Sequence, residues 1–229
     1  MSRLSPRGRD WGGFFPAFGL AARGTFRLPS HCYFMQSVRW LPIVAIAVLA
    51  VAPAVAQAAT PASLTLSTTA FPDGGQIPVQ FTAAADGVTL GEGTSPPLAW
   101  VNPPAGTESF VLHMHDIDVV RNGTTDDQLH WLVWNIPTTA TGLPEGVQRE
   151  SQLPDGSYQI SATGPMYRGP SAPATGPLHH YVLELYALDI VVNIHPTGDA
   201  FATRTEVLAT LQGHILGKAV YVGFFRRPG

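Results

Sequence analysis

The chain has a single cysteine, Cys32, and little charge, with Asp, Glu, Lys and Arg together at 13%. One thiol excludes a disulfide framework, so the fold has to be held by an apolar core, for which a 45% hydrophobic content supplies the material. The signatures of the common chemistries are also missing. No G-x-S-x-G elbow, Walker loop, dinucleotide fingerprint or H-E-x-x-H occurs, so the usual hydrolase, nucleotide and zincin readings have no motif to stand on. There is no internal repeat, low-complexity tract or coiled-coil heptad. The apolar run at 41–55 is interrupted by Pro42 and Pro53 and falls short of the ~20 residues that a membrane-spanning helix needs.

That run has another reading. It follows a short basic segment, M-Q-S-V-R-W from Met35, and precedes the small-x-small site Ala56-Gln57-Ala58, which is the order of a secretory signal peptide. Residues 35–58 are therefore expected to be a leader, cleaved after Ala58. Residues 1–34, rich in Arg, Gly and Pro and without an apolar period, read as an extension upstream of the true start. The folded domain is then 59–229, a length that suits one core. Six of the 13 Lys+Arg and one of the 16 Asp+Glu precede residue 59, which leaves 7 basic against 15 acidic groups and a net charge of −8. Such a surface disfavours nucleic acid and anionic bilayers. The expected location is the periplasm or the exterior, with no transmembrane span after cleavage and no cofactor.

Within the domain, short apolar stretches alternate with Gly/Pro/Asn/Asp clusters at 63–68, 77–81, 109–116, 130–136, 158–162, 181–188 and 219–225. Seven such stretches predict a mainly β, largely antiparallel sandwich or barrel. The gaps at 82–97, 117–129 and 163–178 are long enough for functional loops. Helical spacing appears once, at 199–211, where Phe201, Val207, Leu208 and Leu211 share a face, Asp199 suits the N-cap and Gly213 the stop.

Alternation along 109–118 sends Phe110, Leu112, Met114 and Asp116 to one face and Val111, His113 and His115 to the other. Along 130–137 it groups His130, Leu132, Trp134 and Ile136. Leu112, Met114, Leu132 and Trp134 are accordingly expected in one core. Asp116 and His130 stand at the ends of apolar rows, and His179, His180 and Tyr181 stand where the prolyl loop at 163–178 enters a strand, so these polar ends predict one pocket. His113 and His115, two residues apart, can begin a metal site with His130 or an acid. A downstream Glu at short spacing is missing, however, and Asp116 and Asp118 point to the other face, so no metal is assigned.

S-P-P-L-A-W at 95–100, P-P-A-G-T-x-S-F at 103–110, H-D-x-D at 115–118, H-W-L-V-W-N-I-P at 130–137 and the loop from Tyr167 to Pro173, continued at His179 to Tyr181, stand in this order along the chain. With these motifs the sequence resembles the phosphatidylethanolamine-binding protein family, also called Raf-kinase-inhibitor-like, in its bacterial branch. The resemblance implies an antiparallel β-sandwich with a short C-terminal helix and a small pocket for a phosphate-type anion or phospholipid head group. Carried over, Asp116, Asp118, His130, Pro173, His179 and Tyr181 line it, with Ser171 where relatives carry Gly. The D-P-D-A-P of the family is here Asp116-Ile-Asp-Val-Val120, and the Arg after the pocket His is His180. The implied function is a non-enzymatic binding protein, with a protein partner or a homodimer as in the wider family. The alternative is a hydrolase or metal enzyme using His130, His179 and Asp116 as acid and base.

Overall fold

The computed structural model describes residues 63–229. The extension at 1–34 and the leader at 35–58 lie outside the described residues. Three short strands, β1 (Thr65–Ser67), β3 (Leu98–Val101) and β6 (Gly142–Leu143), form an antiparallel sheet in the order β1-β3-β6. A larger sheet runs β2 (Gly75–Gln76), β9 (Ile215–Phe225), β8 (His179–Leu188), β4 (Ser109–Asp116), β5 (Gln128–Pro137), β7 (Tyr158–Ile160). Its pairings are antiparallel except β2 with β9.

Each face of the larger sheet buries its own apolar set. One holds Phe110, Leu112, Met114, Trp131, Val133 and Leu183 against Leu66, Leu98 and Trp100 of the small sheet. The other holds Val111, Leu132, Trp134 and Leu188 beneath Val207 of the helix α1 (Ala200–Thr210) and Leu211 at its C-cap. The architecture is therefore a sandwich with a helix on its outer face. It is not a closed barrel, since β2 and β7 leave the larger sheet with two edges. The helix begins where its cap predicts, with Asp199 accepting from the N–H groups of Phe201 (2.9 Å) and Ala202 (3.0 Å), and Gly213 follows it at φ +85°.

Several local readings change. The stretch 77–81 is a 3-10 turn, Val79–Phe81, entered from Pro78, because proline has no N–H for a ladder. β3 and β6 carry too little alternation to be seen in sequence. β8 begins at His179, so both histidines of the hinge belong to the strand.

The expectation that Leu112, Met114, Leu132 and Trp134 share a core is wrong. Leu112 and Met114 face the small sheet, whereas Leu132 and Trp134 face the helix. Two irregularities in the β4–β5 ladder are the cause. Phe110 pairs with Ile136 but Leu112 with Val133, and Met114 pairs with Trp131 but His115 with Leu129. Each gives β5 one extra residue, and each extra residue reverses the face that follows. Asn135, at the first, adopts φ +58° and is fixed there by exchanging hydrogen bonds with the backbone of Val192 (2.8 and 2.9 Å). His130 is the extra residue at the second. It leaves the row of Leu132 and Trp134 and turns its ring to Tyr181, on the Asp116 side.

Candidate functional site at the strand ends

β5 and β8 are both antiparallel to β4, so the last residue of β4 and the first residues of its neighbours meet at one end of the sandwich. Asp116 ends β4 and is the cross-strand partner of Tyr181. One carboxylate oxygen of Asp116 accepts from Nδ1 of His179 at 2.8 Å, and the other accepts the backbone N–H of Asp118 at 3.1 Å. Asp118 in turn accepts the N–H of His180 at 2.6 Å and faces its Nδ1 at 2.9 Å. Partial burial works against the charge of Asp118, yet these bonds hold it below its usual range.

The prolyl loop reaches the same place through Tyr181. The phenol oxygen accepts the N–H groups of Ser171 and Ala172, each at 3.2 Å. Burial and then the Asp116 charge push Tyr181 above its ordinary value, so it stays a neutral phenol with a proton to donate. The ring of His130 stands edge-on to Tyr181 at 5.0 Å. Its Nδ1 donates to the carbonyl of Arg168 at 2.8 Å, while the N–H of Arg168 returns to the His130 carbonyl at 3.0 Å. This reciprocal pair pins the loop to the bulge.

The loop is also held from behind. Tyr167 donates to the carbonyl of Phe81 (2.9 Å), Gly169 to Glu92 (3.1 Å), and Ala83 to Pro170 (3.0 Å). Gly169 lies so close to the 82–92 segment that a Cβ would sit 2.6 Å from the Ala83 nitrogen. The seven glycines and prolines between 164 and 177 thus shape a loop that backbone hydrogen bonds hold in one place.

Asp116, Asp118, His130, His179, Tyr181 and Ser171 lie together at one end of the sandwich, joined by the contacts above. Pro173 stands exposed one residue past Ala172. In this site His130 is an acceptor at Nε2. With Nδ1–H committed to Arg168 and burial pushing the ring down to about 3, it is a neutral imidazole whose Nε2 presents a lone pair rather than a donor. Sequence reasoning missed the carbonyl of Arg168 and the N–H of Ala172, which are backbone groups and carry no side-chain signal. His130 and His179 are bonded to Arg168 and Asp116, not to a Ser or Cys nucleophile.

The profile of the family described as Phosphatidylethanolamine-binding protein matches residues 67–226, which takes in every strand end of this site. The chain belongs to the phosphatidylethanolamine-binding protein family. A UPF0098 protein of Methanothermobacter thermautotrophicus is 39% identical over 166 residues, covering 72% of this chain and 99% of that protein. A lipoprotein candidate of Mycobacterium tuberculosis, LppC, is 33% identical and covers 71% of this chain and 72% of its own. Among solved structures, Escherichia coli YbcL, described as a new member of the mammalian PEBP family, superposes with a TM-score of 0.57 at 26% identity, over 72% of this chain and 99% of YbcL. These matches place the chain on the bacterial, YbcL-like side of the family.

Proposed function

We propose that this family member is an extracytoplasmic, non-enzymatic binding protein whose strand-end pocket takes a phosphate-type anion or a phosphorylated head group. The observation that carries the reading is the convergence of the His179–Asp116 pair with the Tyr181 hydroxyl, beside the loop that Tyr181 holds by two N–H groups. A net charge of −8 on 59–229 gives an anion no long-range attraction, so affinity has to come from such local donors. His179 supplies one. Its Nδ1–H is occupied by Asp116, so only the protonated ring has an Nε2–H left for a phosphate oxygen. Tyr181 O–H supplies another. The lone pair of His130 Nε2 suits a P–OH proton, and Asp116 and Asp118 suit an ammonium group such as that of ethanolamine.

An extracytoplasmic setting is supported by the leader pattern at 35–58 and by the likeness to the lipoprotein candidate. Among the described residues no helix is long and apolar enough to cross a membrane. Calorimetric titration with inorganic phosphate and phosphoethanolamine at pH 6 and pH 8 tests the reading. Binding is expected to be tighter at pH 6, and His179→Ala to weaken it by roughly ten- to a hundredfold, the value of one charge-assisted donor. Equal affinity in wild type and His179→Ala, or no binding at millimolar ligand, overturns it.

A further inference from the structure

On the opposite face of the larger sheet, away from the strand-end site, three buried imidazole nitrogens among the described residues have no hydrogen-bond partner: Nδ1 and Nε2 of His113 and Nε2 of His115. The two rings stack at 4.3 Å between centroids and 15° between planes. The acid that the local sequence does not provide comes from the neighbouring strand, since His113 of β4 is the cross-strand partner of Glu184 of β8. Oε2 of Glu184 lies 3.6 Å from His113 Nδ1 and 3.6 Å from His115 Nε2. His115 Nδ1 is bonded to the carboxylate of Asp127. When that nitrogen carries the proton, Nε2 faces Glu184 with a lone pair, and acceptor confronts acceptor across the gap.

We infer that His113, His115 and Glu184 form a binding site for one divalent first-row metal ion of the zinc class, with Asp127 as a positioning residue. Metal–nitrogen and metal–oxygen bonds of ~2.1 Å in a tetrahedron put ligand atoms about 3.4 Å apart, close to the two separations found here. The set of two histidines and one carboxylate leaves a fourth position for water. All three ligand residues line a surface cavity of about 470 Å³, together with Thr125, Asp126, Arg204 and Thr205. The bond from His115 to Asp127 is the carboxylate–histidine arrangement that fixes tautomer and ring direction at metal sites. Arg204 holds Asp127 in turn, at 2.7 Å.

Glu184 has other partners. Tyr186 donates to Oε2 at 2.7 Å, and Lys218 is paired with Oε1, so the ion gains one remaining lone pair of Oε2. A second cluster with comparable spacing, Asp116, Asp118 and His179, differs in that Asp116 and Asp118 already accept hydrogen bonds and His179 is paired with Asp116. His113, only 5% exposed at its side chain, has neither nitrogen in a hydrogen bond.

The test uses the untagged full chain, stripped with chelator and titrated with Zn²⁺ against a chromophoric competitor, with stoichiometry read by native mass spectrometry. One equivalent is expected, with an upward shift of Tm by linkage and, for Co²⁺, the visible absorption of a low-coordinate N,O site. Glu184→Gln and the His113→Ala/His115→Ala pair should abolish stoichiometric binding. Asp127→Asn should weaken it by about 10- to 100-fold. Glu184→Gln keeps the side-chain shape and guards against loss by unfolding, which the melting transition of each apoprotein checks. His179→Ala should bind Zn²⁺ as wild type does. No stoichiometric zinc in wild type, zinc retained by both ligand variants, or zinc lost in folded His179→Ala each overturns the assignment.

Discussion

Tyr181 and His130 show how buried side chains organise a site through their hydrogen bonds. Tyr181 is fully buried, and its oxygen is the point at which strand and loop are joined. His130 is 1% exposed, and its ring is held neutral by burial, with a value pushed down to about 3. The unfolded chain takes up a proton on this residue near the ordinary value of about 6.5, which the folded ring resists. The contribution of His130 to stability is therefore full above pH ~6.5 and is lost as pH falls toward about 3, by up to about 1.4 kcal/mol per pH unit. Denaturant melts at pH 7, 6 and 5 should show this slope in wild type and a shallower one in His130→Asn; parallel slopes would refute it. Trp134 is likewise fully buried, stacked on Tyr158 at 5.6 Å and bonded from Nε1 to the carbonyl of Ile194 at 2.9 Å. Trp134→Ala is expected to cost about 3–5 kcal/mol, and an unchanged denaturation midpoint would contradict that packing.

At the level of elements, the site depends on a loop whose position is set by neighbours rather than by its own propensity. Gly169 is the tightest point of that contact. A methyl group at 169 would meet the Ala83 nitrogen at 2.6 Å and the Glu92 oxygen at 2.8 Å. Gly169→Ala should then cost about 1–3 kcal/mol and also weaken phosphate binding, because Ser171 and Ala172 ride on the same loop; a variant with wild-type Tm and affinity would show the contact to be slack. The helix is a simpler case. Asp199 caps α1 with two hydrogen bonds, and Asp199→Ala should cost about 1 kcal/mol. Because α1 carries Arg204 to Asp127, the same substitution should leave phosphate binding unchanged and act only on the helix side of the sheet. Thermal melts paired with calorimetry on this variant separate the two faces.

For the molecule as a whole, one sheet serves two faces. The face toward the small sheet ends in Asp116, His179 and Tyr181, and the face toward the helix carries His113, His115 and Glu184. The acidic balance of 59–229 gives an anion no long-range attraction, so the binding proposed above would rest on local donors at one end of the sandwich. From the leader pattern at 35–58, protein recovered outside the cytoplasm is expected to begin at Ala59. Intact mass would decide this: residues 1–34 on the exported product would show that the pattern has been misread.

Much of this was written locally. The alternation at 109–116 and 181–188, the Asp199 cap and the glycine stop identified two central strands and the helix, and the ordered motifs named Asp116, Asp118, His179 and Tyr181 as neighbours. Periodicity and capping act over a few residues, so they survive in the linear text. Which way β5 faces did not. The two extra residues at Asn135 and His130 exist only relative to β4, and a ladder register is a relation between strands distant in sequence. The tautomer of His130 depends on a carbonyl 38 residues away. The third member of the His113–His115 cluster lies on another strand, opposite His113. Side-chain chemistry was determined by the sequence; which lone pairs face each other was decided only when the strands paired.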